Sequence, residues 1–147
     1  MNMATQDGKL WMNGTMLEQP DAKVHVLTHS LHYGMAVFEG VRAYQTADNR
    51  TAIFRLKEHT ERLLGSAKIF QMDVSFDAAT LEQAQKDVVK QNNLAEAYIR
   101  PLIWVGAEKL GISSRENSIN AMVAAWHWGA YLGDEGIKNG IRVKTSS

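Results

Sequence analysis

The chain has 147 residues, enough for one domain with its own core. Hydrophobic residues make up 45% and charged residues 22%, and sixteen basic side chains balance sixteen acidic ones, so nothing electrostatic argues for nucleic acid or an anionic membrane as partner. Without cysteine there is no disulfide, thiolate zinc site or thiol nucleophile, and without a signal-like apolar stretch in Met1–Trp11 or a run near the ~18 residues of a membrane span the expected home is the cytoplasm.

Lys9 to Leu17 reads as a hairpin, because Leu10-Trp11-Met12 and Met16-Leu17 flank Asn13-Gly14, a dipeptide suited to the positive φ angles of a type I′ turn. Asp21 to Val26 continues as loop and short strand. Thr28 to Tyr33 forms a helical turn ended by Gly34. Ala36 to Tyr44 is a strand that pairs with Thr51–Arg55 across the polar Thr46–Arg50 turn. Leu56, Leu63, Ala67 and Phe70 recur at helical spacing and predict a helix over Leu56–Gln71. Asp77 is placed to cap a second helix running through Asn92, with Leu81, Ala84 and Val88 on one stripe.

Two longer strands follow, Ala97–Val105 and Ile119–Trp128, joined by Gly106–Asn117. Pro101 predicts that the first of them is an edge or carries a bulge. After Trp128 the glycines at 129, 133 and 136 give a loop-like composition, and Ile141-Arg142-Val143-Lys144 starts another strand. Strands and helices are grouped rather than alternated. That order favours an α+β fold, a two-layer domain with a largely antiparallel sheet packed against two helices.

Side chains alternate across a strand. Val37, Val41 and Ala43 share a core face interrupted by Glu39, while Phe38, Gly40, Arg42 and Tyr44 face the other way. In the later strand Ile99, Ile103 and Val105 point one way and Tyr98, Arg100, Leu102 and Trp104 the other. Aromatic rings beside guanidinium groups, with a glycine allowing close backbone approach, suit a ligand that is partly apolar and partly anionic. The same alternation also describes the solvent side of any half-buried sheet. Arg62 reads first as an exposed helix charge paired with Glu58, with an anion contact as the alternative.

His25, His29 and His32 have a spacing that one helix face could turn into metal ligands. Val24 and Val26 argue for strand at His25, and no acidic residue lies in the run to orient the rings. No metal site is expected. His127, between two tryptophans, reads as structural, and the glycines at 129, 133 and 136 make no phosphate loop.

Several segments together resemble one family, the fold-type IV pyridoxal-phosphate aminotransferases, and within it the branched-chain amino acid enzymes. They include Trp11-x-Asn13-Gly14, Asp21-Ala22-Lys23-Val24-His25-Val26, His29-x-Leu31-His32-Tyr33-Gly34 and Val37-Phe38-Glu39-Gly40-Val41-Arg42. Further along come Phe54-Arg55-Leu56-x-Glu58-His59-x-x-Arg62-Leu63, Ser66-Ala67-Lys68, Asn93-Leu94, Tyr98-Ile99-Arg100-Pro101-Leu102 and Trp128-Gly129-Ala130-Tyr131-Leu132-Gly133. Their order and spacing match the family's small N-terminal domain from about Lys9 to Gly133.

The resemblance implies a parent that transaminates leucine, isoleucine or valine with 2-oxoglutarate, using pyridoxal 5′-phosphate, and that works at least as a dimer. It assigns Arg62 to the cofactor phosphate. It assigns Tyr33, Phe38, Trp128 and Tyr131 to the aliphatic side-chain pocket, with Tyr33 or Tyr131 reaching a neighbouring subunit. Tyr98 and Arg42 would hold the substrate α-carboxylate, and Arg100, with Tyr33 and the backbone of Gly40, the side-chain carboxylate of glutamate. The family's Schiff-base lysine lies in a second domain past Ser147, and none of the nine lysines here has that context, so no catalytic residue is assigned and the chain alone is expected to be inactive. Residues 1–128 would be the small domain, 129–135 the interdomain linker and 136–147 the start of the cofactor-binding domain. The competing readings are a sister activity, D-amino acid transamination or aminodeoxychorismate lysis, and a stand-alone binding or dimerisation module.

Overall fold

A computed structural model describes residues 7–128 and 133–146. Seven strands form one sheet: β1 (Lys9–Met12), β2 (Thr15–Glu18), β3 (Ala36–Phe38), β4 (Val41–Gln45), β5 (Thr51–Ile53), β6 (Ala97–Val105) and β7 (Ile119–Trp126). The order is β2-β1-β7-β6-β4-β5, with β3 also on β6, and every pairing is antiparallel. The helices are α1 (His29–Tyr33), α2 (Leu56–Ile69), α3 (Ala78–Gln91) and α4 (Gly133–Asn139). The α+β class and the antiparallel sheet agree with the sequence reading, α1 is the expected helical turn ended by Gly34, and α4 adds a short helix to the expected pair.

The hairpin forms as its dipeptide requires. Asn13 has φ 48° and Gly14 φ 90°, the left-handed region at both central positions. The Asn13 side chain then ties the turn to β7, its Oδ1 accepting from the Ala121 N–H at 2.9 Å. At α3 the Asp77 carboxylate accepts from the Thr80 N–H at 2.8 Å, satisfying one of the donors a helix start leaves open.

Five expectations are corrected. Pro101 is not on an edge strand, because β6 is central, with β7 on one side and β3 and β4 on the other. Nor is a residue inserted there: Phe38 opposes Leu102 and Val41 opposes Ile99, so one register runs through. Pro101 has no N–H to return for the bond its carbonyl accepts from Glu39 N–H at 3.0 Å, and the ladder breaks there, dividing the predicted Ala36–Tyr44 strand into β3 and β4. The short strand over Asp21–Val26 is absent. Pro20 lies in a 3₁₀ turn, Gln19–Asp21, and the His25 carbonyl is used in a turn by the Thr28 N–H and hydroxyl. Residues 133–139 are helical rather than loop, and Ile141–Lys144 joins no ladder, for want of a partner strand among the described residues.

α2 and α3 pack on one face of the sheet. Leu63, Ala67, Leu81, Ala84 and Val88 of the helices meet Val37, Val41, Ile99, Ile103, Val105 and Val123 of the strands, all buried. The helices are locked to each other by the buried Gln85 amide, which donates to Thr60 Oγ1 at 2.9 Å. This layer fixes where α2 sits, and therefore where its polar residues can reach.

Candidate functional site

On the opposite face of the same strands the Trp104 end is buried, and at the other end six of the eight predicted substrate residues gather: Phe38, Gly40, Arg42, Tyr98, Arg100 and Trp128. The register puts Arg42 opposite Tyr98 and Tyr98 opposite Trp126. Alternation then stacks Phe38, Tyr98, Arg100 and Trp126 on one side of the sheet. The Arg100 guanidinium lies over the Phe38 ring at 4.3 Å and near the Tyr98 ring at 5.3 Å. Its Nη2 donates to Tyr98 Oη at 2.6 Å, and its Nε is buried with no acceptor among the described residues. Ring centroids of Tyr98 and Trp128 are 4.9 Å apart, edge to face, and those of Tyr98 and Trp126 5.1 Å. Arg42 Nη1 donates to the Trp128 carbonyl at 2.9 Å, holding the chain beyond β7 against the cluster.

Gly40 is required at its position. A Cβ there would lie 2.6 Å from Tyr98 Oη and 3.2 Å from the ring carbon bearing it, so Tyr98 occupies the space a side chain would need. Phe38 is 58% exposed and Trp128 37%, so the cluster is a wall open on one side rather than a closed pocket. A cavity of about 680 Å³ lies elsewhere, between β5 and α3, and includes Lys86, Lys90 and Asn93 but no predicted site residue.

Tyr33 does not join this wall. It stands at the end of α1, just before Ala36, which opposes Trp104 at the other end of β6, and it stacks on the buried His29 at 4.5 Å. Tyr131 lies outside the described residues. Trp126 belongs to the cluster and was not predicted, although its parity with Trp128 was a usable signal. The three histidines have separate partners: His29 Nε2 lies 2.8 Å from the Gly111 carbonyl, His32 Nε2 3.0 Å from that of Val26, and His25 Nδ1 accepts from Leu27 N–H. Among the described residues no group of His, Cys, Asp or Glu could hold a metal ion. His127 is exposed just past β7.

Arg62 is on the helix side, and its partner is not Glu58, which pairs with Arg55 at 3.0 Å. Arg62 reaches Glu39, donating from Nε to Oε1 at 2.5 Å and from Nη2 to Oε2 at 2.8 Å. His59 Nδ1 is 2.9 Å from the same Oε2. Glu39 is 6% exposed, and hydrogen bonding from Arg62 holds its carboxyl below the usual value of 4.5 against the opposing effect of burial. The Arg62 side chain is 67% exposed and its cation is further favoured by Glu39. A guanidinium has two forked edges, and Glu39 takes the Nε/Nη2 edge, leaving the end-on edge to another anion.

A sheet with two helices on one face is an architecture that this chain shares with known proteins. The profile described as Amino-transferase class IV covers residues 36–147, and the chain belongs to that family. It is 48% identical to the branched-chain-amino-acid aminotransferase of Pseudomonas aeruginosa over 147 residues, all of this chain and 48% of that protein. Among solved structures it resembles the Escherichia coli branched-chain amino acid aminotransferase, with a TM-score of 0.85, 45% identity, and 89% of this chain against 43% of that one. It also resembles a branched-chain amino acid aminotransferase of T.th. complexed with N-(5′-phosphopyridoxyl)-L-glutamate, with a TM-score of 0.81, 50% identity, and 84% of this chain against 41% of that one. The chain therefore spans about half the length of these relatives. Among the described residues no helix is long and apolar enough to cross a membrane.

Proposed function

We propose that this chain supplies the substrate wall and one cofactor anchor of a branched-chain amino acid aminotransferase, which exchanges the amino group of leucine, isoleucine or valine with 2-oxoglutarate. The observation that carries the reading is the wall itself: aromatic rings at Phe38, Tyr98, Trp126 and Trp128 interleaved with the guanidiniums of Arg42 and Arg100. A branched aliphatic side chain gains by leaving water against such rings. Glutamate has a carboxylate where leucine has methyl groups, and Arg100 can meet it with a forked charged hydrogen bond. Arg100 bonds to one neutral hydroxyl, so most of its five donors remain for a ligand. Arg42 and Tyr98, paired across β4 and β6, are assigned to the α-carboxylate.

The cofactor we infer is pyridoxal 5′-phosphate, and the residues present fit its phosphate end. The side-on grip of Glu39 leaves the exposed edge of Arg62 oriented and cationic. When bound, the cofactor supplies an electron sink that makes the substrate α-hydrogen labile. What the chain's own residues do is hold the phosphate at Arg62 and hold the two carboxylates and side chain of successive substrates along β4 and β6. Tyr33, away from the wall and 46% exposed, is assigned to the site of a second subunit, which makes the working protein at least a dimer. Tyr131 is kept as a pocket residue on the resemblance alone. Residues 1–128 are assigned to the small domain, 129–135 to the linker and 136–147 to the start of the cofactor domain, in a cytoplasmic enzyme.

Substrate profiling of the full-length protein tests the reading. Amino transfer from both L-leucine and L-glutamate is expected. Turnover of D-alanine with none of leucine would overturn it.

A further inference from the structure

Glu39 is the only buried carboxylate among the described residues. It lies on the helix-covered face, in a row with Val37 at 6% and Val41 at 0% exposure. A carboxylate taken out of water in an apolar row is costly, and an apolar residue of similar size would pack there without that cost. Stability does not explain it.

What the carboxylate does is grip. It receives Nε and Nη2 of Arg62 and lies against Nδ1 of His59, three contacts from two successive turns of α2. Arg62 is otherwise an exposed side chain with several free rotatable bonds, and an unpinned arginine would point its end-on edge in many directions. The lowered carboxyl keeps the grip charged at neutral pH.

We infer that Glu39 is a positioning residue: it fixes Arg62 by the Nε/Nη2 edge so that the opposite edge is presented to the phosphate of the cofactor. The inference rests on the reading of Arg62 as a phosphate contact. It gives the acidic residue inside Phe38-Glu39-Gly40 a task separate from the substrate wall on the other side of the strand.

The test compares binding of pyridoxal 5′-phosphate with binding of pyridoxal, by calorimetric titration of the full-length protein. The ratio of the two affinities isolates the phosphate contact, and a loss of fold would lower both. Glu39→Gln keeps the shape without the charge. Glu39→Leu restores an apolar row, so it is expected to keep or raise Tm. Both variants are expected to cut the phosphate preference about tenfold, and Arg62→Ala to remove most of it. A preference unchanged in both Glu39 variants but abolished by Arg62→Ala would overturn the positioning role alone. A preference untouched by Arg62→Ala would overturn the phosphate reading, and this inference with it.

Discussion

The two faces of the β4–β6 ladder are made by the same residues in alternation, yet they have different physics. On the helix side Val41, Ile99 and Ile103 are fully buried, and the single buried carboxylate there is paired with Arg62 and lies against His59 Nδ1. On the open side Phe38, Tyr98 and Trp128 remain partly exposed, and Arg42 and Arg100 lie among them without an acidic partner among the described residues. A core face minimises free energy by filling space. A binding face keeps apolar surface and hydrogen-bond donors unspent until a ligand arrives. Period-two alternation lets nine residues of β6 serve both ends.

If that division is correct, substitutions on the two faces should differ in kind. The largest stability loss is expected for Ile103→Ala, about 2–5 kcal/mol in chemical denaturation, because it leaves a cavity that the α2–α3 layer cannot fill. A loss under about 1 kcal/mol would mean that the helix layer is not closely packed on β6. Gly40→Ala is intermediate. Its Cβ must displace Tyr98 Oη from 2.6 Å, costing about 1–3 kcal/mol of stability and disordering the Tyr98–Arg100 pair, seen as changed tyrosine fluorescence. Phe38→Ala is expected to cost the least, below about 1 kcal/mol, since the ring is 58% exposed and its specific contribution is stacking under Arg100. An equal cost for Phe38→Ala and Ile103→Ala would erase the distinction between the faces.

Much of this was legible in the sequence because it depends on local rules. Asn13-Gly14 announced the hairpin, Asp77 the start of α3, and the alternation from Val37 to Ala43 the two faces. Parity grouped Phe38, Gly40 and Arg42, and separately Tyr98 and Arg100, and the resemblance gave both groups substrate roles, but that β4 and β6 lie side by side came only with the fold. What escaped depends on non-local pairing. Spacing along α2 offered Glu58 to Arg62, but the true partner, Glu39, is 23 residues away and reachable only through the packing of α2 on the sheet. Pro101 suggested an edge because proline lacks a donor. The fold instead tolerates it in a central strand by giving up one ladder bond opposite Glu39. Trp126 was missed although Trp128, two residues on, was assigned to the pocket.

The central claim is that one wall serves both an aliphatic and an acidic substrate, with Arg100 as the group that distinguishes them. The direct measurement is kcat/KM for L-leucine and L-glutamate in the full-length protein and its Arg100→Leu variant. Leucine should stay within about threefold of the starting value while glutamate falls by about 30-fold or more, the size of a lost charged hydrogen bond. Equal losses for both substrates, or no loss for glutamate, would contradict the account.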